Sequence, residues 1–126
     1  ESSGYPRRLL GMVAATGRKA GLAINPVSPV PNLLAFEPFL DFVLVLTTEP
    51  EDGEATFIER RLEAVREVAT QLDGRAIPII VDGGVNESNA PHLVRAGATG
   101  AVVGRALFGS DSMAKTVAAI RNAASA

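Results

Sequence analysis

An α/β fold built on a parallel sheet is predicted by three observations. Four short apolar runs alternate with longer amphipathic segments, a spacing typical of parallel strands joined by right-handed helical crossovers. The apolar runs are continuous, as in strands that are buried on both faces. Two of the runs end in glycine turns. We therefore expect the strands to lie in chain order, with both faces of the sheet covered.

The elements follow one another as a leading helix and then four βα units. Pro6 and Pro31 stand near the first turns of two helical segments, where a missing amide costs little. The longest helical pattern, residues 57–72, carries an apolar stripe with charged residues between, as in a helix that packs on one side. The predicted strands are Ala20–Ile24, Phe42–Leu46, Ile77–Val81 and Ala101–Val103, and the predicted helices are Pro6–Thr16, Pro31–Phe36, Phe57–Leu72, Ser88–Ala96 and Ser112–Ala123.

Composition argues against several classes of protein. The chain is 47% apolar, but no apolar run approaches the roughly 18 residues that span a bilayer. It has no cysteine, which excludes disulfides and thiolate metal sites, and no signal-peptide pattern at its start. The formal charge of -2 and the scattered arginines provide no basic field for nucleic acid. We expect a cytoplasmic protein with no nucleic-acid or membrane partner.

The length predicts half of a closed barrel. Closing eight βα units takes about 250 residues, and this chain has 126. Four open parallel strands leave two edges of unpaired amides and carbonyls, which proteins usually cover or pair. We therefore interpret residues 1–126 as a single region, about the C-terminal half of a (β/α)8 TIM barrel. Either the other half lies outside this sequence, or another chain completes the sheet.

The two glycine turns are the candidate functional site. One apolar run ends in Asp82, Gly83 and Gly84, and the next ends in Gly104 and Arg105. Glycine lets the backbone approach an anion, and the amides of the following helix's first turn point at it, so the pair predicts a phosphate cradle. Asp82 stands at a strand's C-terminal end, where barrel active sites gather. It is the candidate catalytic carboxylate, the alternative being a turn or cap former.

Other polar residues at strand ends have two interpretations. Asn25, Ser28 and Thr47 are as suited to forming local turns as to contacting a substrate. The sole histidine, His92, falls in a helical stretch. We expect it at the surface and not as a metal ligand.

Four motifs in order resemble those of the ribulose-phosphate 3-epimerase family. Residues 17–29 resemble the family's fifth strand region, and residues 43–47 resemble its sixth strand. Val-Asp-Gly-Gly-Val-Asn at 81–86 is similar to the seventh-strand motif, and residues 96–108 are similar to the eighth. The resemblance covers nearly the whole chain. It implies a (β/α)8 barrel isomerase of the pentose phosphate pathway, which interconverts ketose phosphates at the carbon beside the carbonyl.

The resemblance also implies roles for individual residues. The reaction needs acids on two faces of the carbon and a group that holds the enediolate charge, which in the family is a divalent metal. Asp82 would be both an acid/base and a metal ligand, with Zn, Fe, Mn and Co not distinguished. The family's other carboxylate and its metal-binding histidines lie on strands that this sequence does not contain. A sugar-phosphate substrate and a homo-oligomer are also implied. The residues implied to contact phosphate are Gly53, Gly83, Gly84, Gly104 and Arg105.

One segment departs from the family pattern. Where the family has a glycine-rich phosphate loop, residues 49–54 read Glu-Pro-Glu-Asp-Gly-Glu, and we call them the acidic segment. Its four carboxylates repel a phosphate dianion. The alternative is that they offset the dipole of the long helix, expected to start at about Thr56. Arg105 replaces a small hydroxyl residue and either restores phosphate affinity, pairs with the acidic segment or faces solvent.

Three functional classes stay open at this point. The first is an epimerase of the ribulose-phosphate type or a close relative. The second is another phosphate-binding barrel enzyme, such as a decarboxylase or a synthase. The third is a non-catalytic half-barrel.

Overall fold

The computed structural model describes residues 1–51 and 53–126. Within these ranges, the chain forms five α-helices, one 3-10 helix and a four-stranded sheet. The strands are β1 Gly21–Ile24, β2 Phe42–Leu46, β3 Ile79–Asp82 and β4 Gly100–Val102. The helices are α1 Pro6–Ala15, the 3-10 helix Leu33–Phe39, α2 Arg61–Gln71, α3 Ala90–Ala96, α4 Arg105–Phe108 and α5 Met113–Ala124.

The sheet confirms the predicted topology. All three strand pairs are parallel, and the order is β1-β2-β3-β4. In the register, Asp82 has Leu46 on one side and Val102 on the other. The carboxyl ends of β2, β3 and β4 therefore meet at one edge of the sheet.

The two faces of the sheet differ in burial. Val43, Val45 and Val81 are fully buried in the core beneath the helices. Each fully buried side chain of this size contributes about 1.5–3 kcal/mol. On the other face Leu44 is half-buried and Val102 is 47% exposed. The prediction that both faces are covered is therefore wrong, because enclosing the second face takes more strands than this chain's four.

Prolines account for two differences from the predicted elements. The segment predicted as an α-helix at 31–36 is a 3-10 helix that contains Pro38, which removes an amide and clashes within an α-helical turn. Strand β3 begins at Ile79 instead of Ile77, directly after Pro78, which has no amide for the ladder. Strand β4 begins one residue earlier than predicted, and α4 was not predicted.

Helix α2 starts later than predicted. The helix begins at Arg61 rather than near Thr56, and its N-cap residue, Arg60, makes no side-chain cap hydrogen bond. Residues 55–60 therefore separate the acidic segment from the helix. The helix therefore does not follow the acidic segment directly, and Arg60 stands at its N-cap in place of an acidic residue.

No helix within residues 1–51 and 53–126 has the length and apolar character needed to cross a bilayer.

Candidate functional site

A cavity of about 490 Å3 lies where the turns after β3 and β4 meet. Its lining includes Asp82, Gly83, Gly84, Gly104 and Arg105, so the structure brings together these predicted site residues. Glu54 also lines the cavity. Gly53 is exposed and is not part of this lining.

Thr47 holds the Gly83–Gly84 turn that follows β3, which we call the β3 turn. It is fully buried, and its hydroxyl donates a hydrogen bond to the carbonyl of Gly83 at 2.7 Å. Its amide donates to the carbonyl of Asp82 at 2.8 Å. Of the two interpretations of Thr47, the structure supports the turn former.

Gly83 and Gly84 are required by the packing of the neighbouring loop. Both have positive φ, +124° and +66°. A Cβ on Gly83 would lie 2.7 Å from the Thr48 amide nitrogen, and one on Gly84 would lie 2.8 Å from the Ala55 carbonyl oxygen. Main-chain atoms cannot yield as a flexible side chain does. The loop between β2 and α2 is therefore seated on the β3 turn, and only glycine permits that approach.

Asn89 supports the same turn from the other side. Its side chain is buried, and its Nδ2 donates to the carbonyl of Gly84 at 2.9 Å. Its Oδ1 accepts from the amide of Asn86, also at 2.9 Å. This role of Asn89 was not predicted from the sequence. The available signal was the Asn-x-x-Asn spacing at 86 and 89, typical of side chains that bond to a local turn.

The expectation of a helix N-terminus at each glycine turn is only half correct. Helix α4 follows Gly104 directly. Helix α3 begins at Ala90, and residues 85–89 form the asparagine turn instead. The Asn side chains stabilise that turn in place of a first helical turn, so helical amides do not stand at the β3 turn.

Backbone amides nevertheless line the cavity with unused donors. The amides of Gly83, Gly84 and Gly104 donate to no protein acceptor in the described ranges. Successive amides in a tight turn form concave sites that suit anions. The two turns can therefore hold a phosphate through the main chain.

The side chains of Asp82 and Arg105 are not engaged by other described residues. The Asp82 carboxylate makes no hydrogen bond or ion pair with residues 1–51 or 53–126. Arg105 is exposed and is in neither of the two salt bridges found in those ranges. Pairing of Arg105 with the acidic segment therefore gains no support.

The remaining predicted polar residues lie away from this cavity. The Asn25 amide donates to Glu1 Oε1 at 3.0 Å, and the Ser28 amide donates to the Asn25 carbonyl at 3.2 Å, which is a local turn. His92 is 47% exposed, with Nδ1 3.7 Å from Glu59 Oε1 on the helical side. The prediction of a surface histidine is confirmed.

The donor set does not make a metal site. No group of three or more His, Cys, Asp or Glu side chains within the described ranges is arranged to hold a metal ion. Asp82 is a single carboxylate, whereas divalent cations in proteins take several ligands.

The four parallel strands in chain order, with the candidate site at their carboxyl ends, fit half of a (β/α)8 barrel. The model of the ribulose-phosphate 3 epimerase family matches residues 1–108. The chain belongs to this family.

Curated relatives agree with this assignment. The ribulose-phosphate 3-epimerase of Mycobacterium tuberculosis H37Rv is 34% identical over 128 residues, covering 100% of this chain and 56% of the relative. The Bacillus subtilis enzyme of that name is 34% identical, covering 96% and 57%. The Rhodospirillum rubrum enzyme is 37% identical, covering 98% and 55%. The chain thus spans little more than half the length of these relatives.

Proposed function

We propose that this chain supplies the phosphate-binding turns and one acid/base carboxylate of a ketose-phosphate 3-epimerase. One observation carries the proposal: the unengaged Asp82 carboxylate shares a cavity with the unused amides of Gly83, Gly84 and Gly104. Family membership supports the same reaction. A sugar phosphate as substrate and assembly as a homo-oligomer in the cytoplasm stay predictions.

The proposed reaction divides the work between the two ends of the substrate. The amides of the two turns and the Arg105 guanidinium bind the phosphate, which fixes the sugar chain toward the sheet. Asp82 then removes the proton from carbon 3, or returns it, on one face of the sugar. The electrons pass to the neighbouring carbonyl and form an enediolate. The acid for the opposite face comes from outside this chain.

We further propose that Asp82 is one ligand of a divalent cation, whose chemistry is to stabilise negative charge on oxygen. The described residues do not fit such an ion by themselves, because no three His, Cys, Asp or Glu side chains among them are grouped to hold one. The other ligands must come from elsewhere. Zn, Fe, Mn and Co stay undistinguished.

The reaction is tested by completing the barrel. This chain is co-expressed with the part of the Rhodospirillum rubrum relative that precedes the matched region. Deuterium uptake from solvent at carbon 3 of ribulose phosphate is then followed by NMR. We expect uptake with the purified complex and none with either piece alone. A stable complex that takes up no deuterium would contradict the proposed reaction.

Arg105→Ser is expected to weaken phosphate binding by this chain about ten- to a hundredfold. Losing one charge-assisted contact costs about 1.5–3 kcal/mol, and each 1.4 kcal/mol is about tenfold. The measurement is an NMR titration with inorganic phosphate. The control is Arg95→Ser, which removes an exposed arginine from the last turn of α3. Equal or tighter binding by Arg105→Ser would mean that Arg105 does not face the phosphate.

A further inference from the structure

Arg61 is a buried cation beside the candidate site. It is the first residue of α2 and is only 6% exposed. Its Nε donates to the Leu46 carbonyl at 3.1 Å, and its Nη1 donates to the Pro26 carbonyl at 3.3 Å. Its Nη2 is buried and has no partner within the described ranges. The guanidinium therefore joins main-chain atoms from the ends of two strands.

Its position coincides with the end of the ladder between β1 and β2. The last paired residues are Ile24 and Val45, and Pro26 has no amide with which to continue the ladder. The Arg61 guanidinium donates to one carbonyl on each side of this gap. Leu46, which it holds, is the register partner of Asp82. The contact therefore lies one strand away from the candidate catalytic carboxylate.

The charge of Arg61 needs a counter-charge. Burial lowers its pKa, as does the neighbouring Arg60, while the carboxylates of Glu49 and Glu1 raise it. A buried charge is costly unless it is paired. The Glu1 carboxylate already accepts a hydrogen bond from the Asn25 amide. Glu49 is half-buried and is in neither of the two salt bridges found in the described ranges, so its carboxylate acts on Arg61 at longer range than a direct ion pair.

We propose that Arg61 is a positioning residue of the candidate site, which clamps the carboxyl ends of β1 and β2 together where Pro26 interrupts the ladder, and that Glu49 is its counter-charge. The first carboxylate of the acidic segment then balances an interior cation instead of opposing a phosphate at the cavity. The clamp is independent of the proposed reaction. Only its effect on phosphate binding rests on the proposed function.

The counter-charge is tested by a double-mutant cycle in thermal unfolding. Arg61→Met keeps most of the side-chain volume and removes the charge, and Glu49→Gln removes the opposite charge. Each single variant is expected to lower Tm. The double variant should lower Tm by clearly less than the sum of the two single shifts. Arg66→Met, which changes an exposed arginine farther along α2, is the matched control and should leave Tm nearly unchanged. Additive shifts would overturn the role of Glu49.

The clamp is tested by amide hydrogen exchange. Arg61→Lys keeps the charge but cannot reach both carbonyls with a planar fork. It should therefore keep its coupling to Glu49, measured in the background of Glu49→Gln. Amide exchange should nevertheless become about tenfold faster at residues 25, 27, 28 and 47–49. Unchanged exchange would overturn the clamp. If Arg61→Met does not fold, Arg61→Gln takes its place in the cycle, because it also removes the charge and keeps a polar donor.

Titration with inorganic phosphate separates this inference from the proposed function. If the parent binds phosphate, Arg61→Lys is expected to bind it several-fold more weakly, because the rim of the cavity is no longer held. Unchanged affinity together with unchanged exchange would overturn the positioning role. If the parent does not bind phosphate, the proposed function fails, and the exchange and Tm measurements still decide the clamp.

Discussion

Asp82→Asn is expected to slow proton exchange at carbon 3 by about 10²–10⁴-fold in the completed barrel, the usual contribution of a positioned acid or base. An amide has nearly the shape of the carboxylate but neither takes up nor returns the proton. Deuterium uptake by ribulose phosphate measures the rate. Binding of inorganic phosphate should change little, because the phosphate contacts are proposed to be main-chain amides and Arg105.

The control for this variant is Glu54→Gln, which removes another carboxylate from the lining of the same cavity. If the loss in Asp82→Asn came from altered charge in the cavity, Glu54→Gln would show a comparable loss. We expect it to retain exchange. Near-normal exchange by Asp82→Asn would remove Asp82 from the mechanism.

Gly84→Ala is expected to lower the free energy of unfolding by about 2–4 kcal/mol, from left-handed backbone strain and steric overlap together. The new Cβ would meet the Ala55 carbonyl oxygen at 2.8 Å and the Phe57 amide nitrogen at 2.9 Å. Relieving these contacts requires the loop to move away from the turn. Urea unfolding of this chain, followed by circular dichroism, measures the change.

Gly104→Ala is the matched control for that substitution. Gly104 stands at the neighbouring turn with a φ of -102°, and a Cβ there would meet nothing within 4 Å. Its stability should stay within about 0.5 kcal/mol of the parent. If Gly84→Ala were equally stable, the loop would not be seated on the β3 turn in solution.

Strand order and the meeting of the glycine turns could be predicted because they follow from local pattern and chain connectivity. Strand β2 occupies the predicted residues Phe42–Leu46. Once the strands are parallel and in order, the residues after β3 and β4 must lie side by side. The cover of the second face could not be predicted this way. Continuous apolar runs indicate that both faces of a strand need apolar cover, but they do not show whether this chain or another segment provides it.

The early start predicted for the long helix shows a tertiary contact overriding a local pattern. Residues 57–60 share the spacing of the helix that follows, yet α2 begins only at Arg61. The backbone at Ala55 and Phe57 is held against Gly84 by close main-chain contact. That contact requires the loop to run along the turn, which a helix starting at Phe57 would not allow.

The burial of Arg61 was not predicted, because its residue type indicates exposure whereas its position in the helix indicates burial. Pairs of arginines usually lie on a solvated face. The spacing from Arg61 to Val65 and Val68, both fully buried, is nevertheless that of one helix face. Helical periodicity was the better guide here. Helical periodicity does not, however, show that the ladder between β1 and β2 is interrupted at Pro26. That interruption leaves two carbonyls for the guanidinium to bind.

The hydrogen bond from the Thr47 hydroxyl to the Gly83 carbonyl has a stereochemical consequence for the cavity. A trans peptide unit is planar, with its C=O and N–H pointing in opposite directions. Fixing the Gly83 carbonyl toward the buried Thr47 therefore fixes the Gly84 N–H to point away from Thr47. The Thr47 side chain is buried and contacts no ligand, yet it sets the direction of the Gly84 N–H, which can bind one. Thr47→Val would remove this hydrogen bond and leave the peptide plane between Gly83 and Gly84 free to rotate.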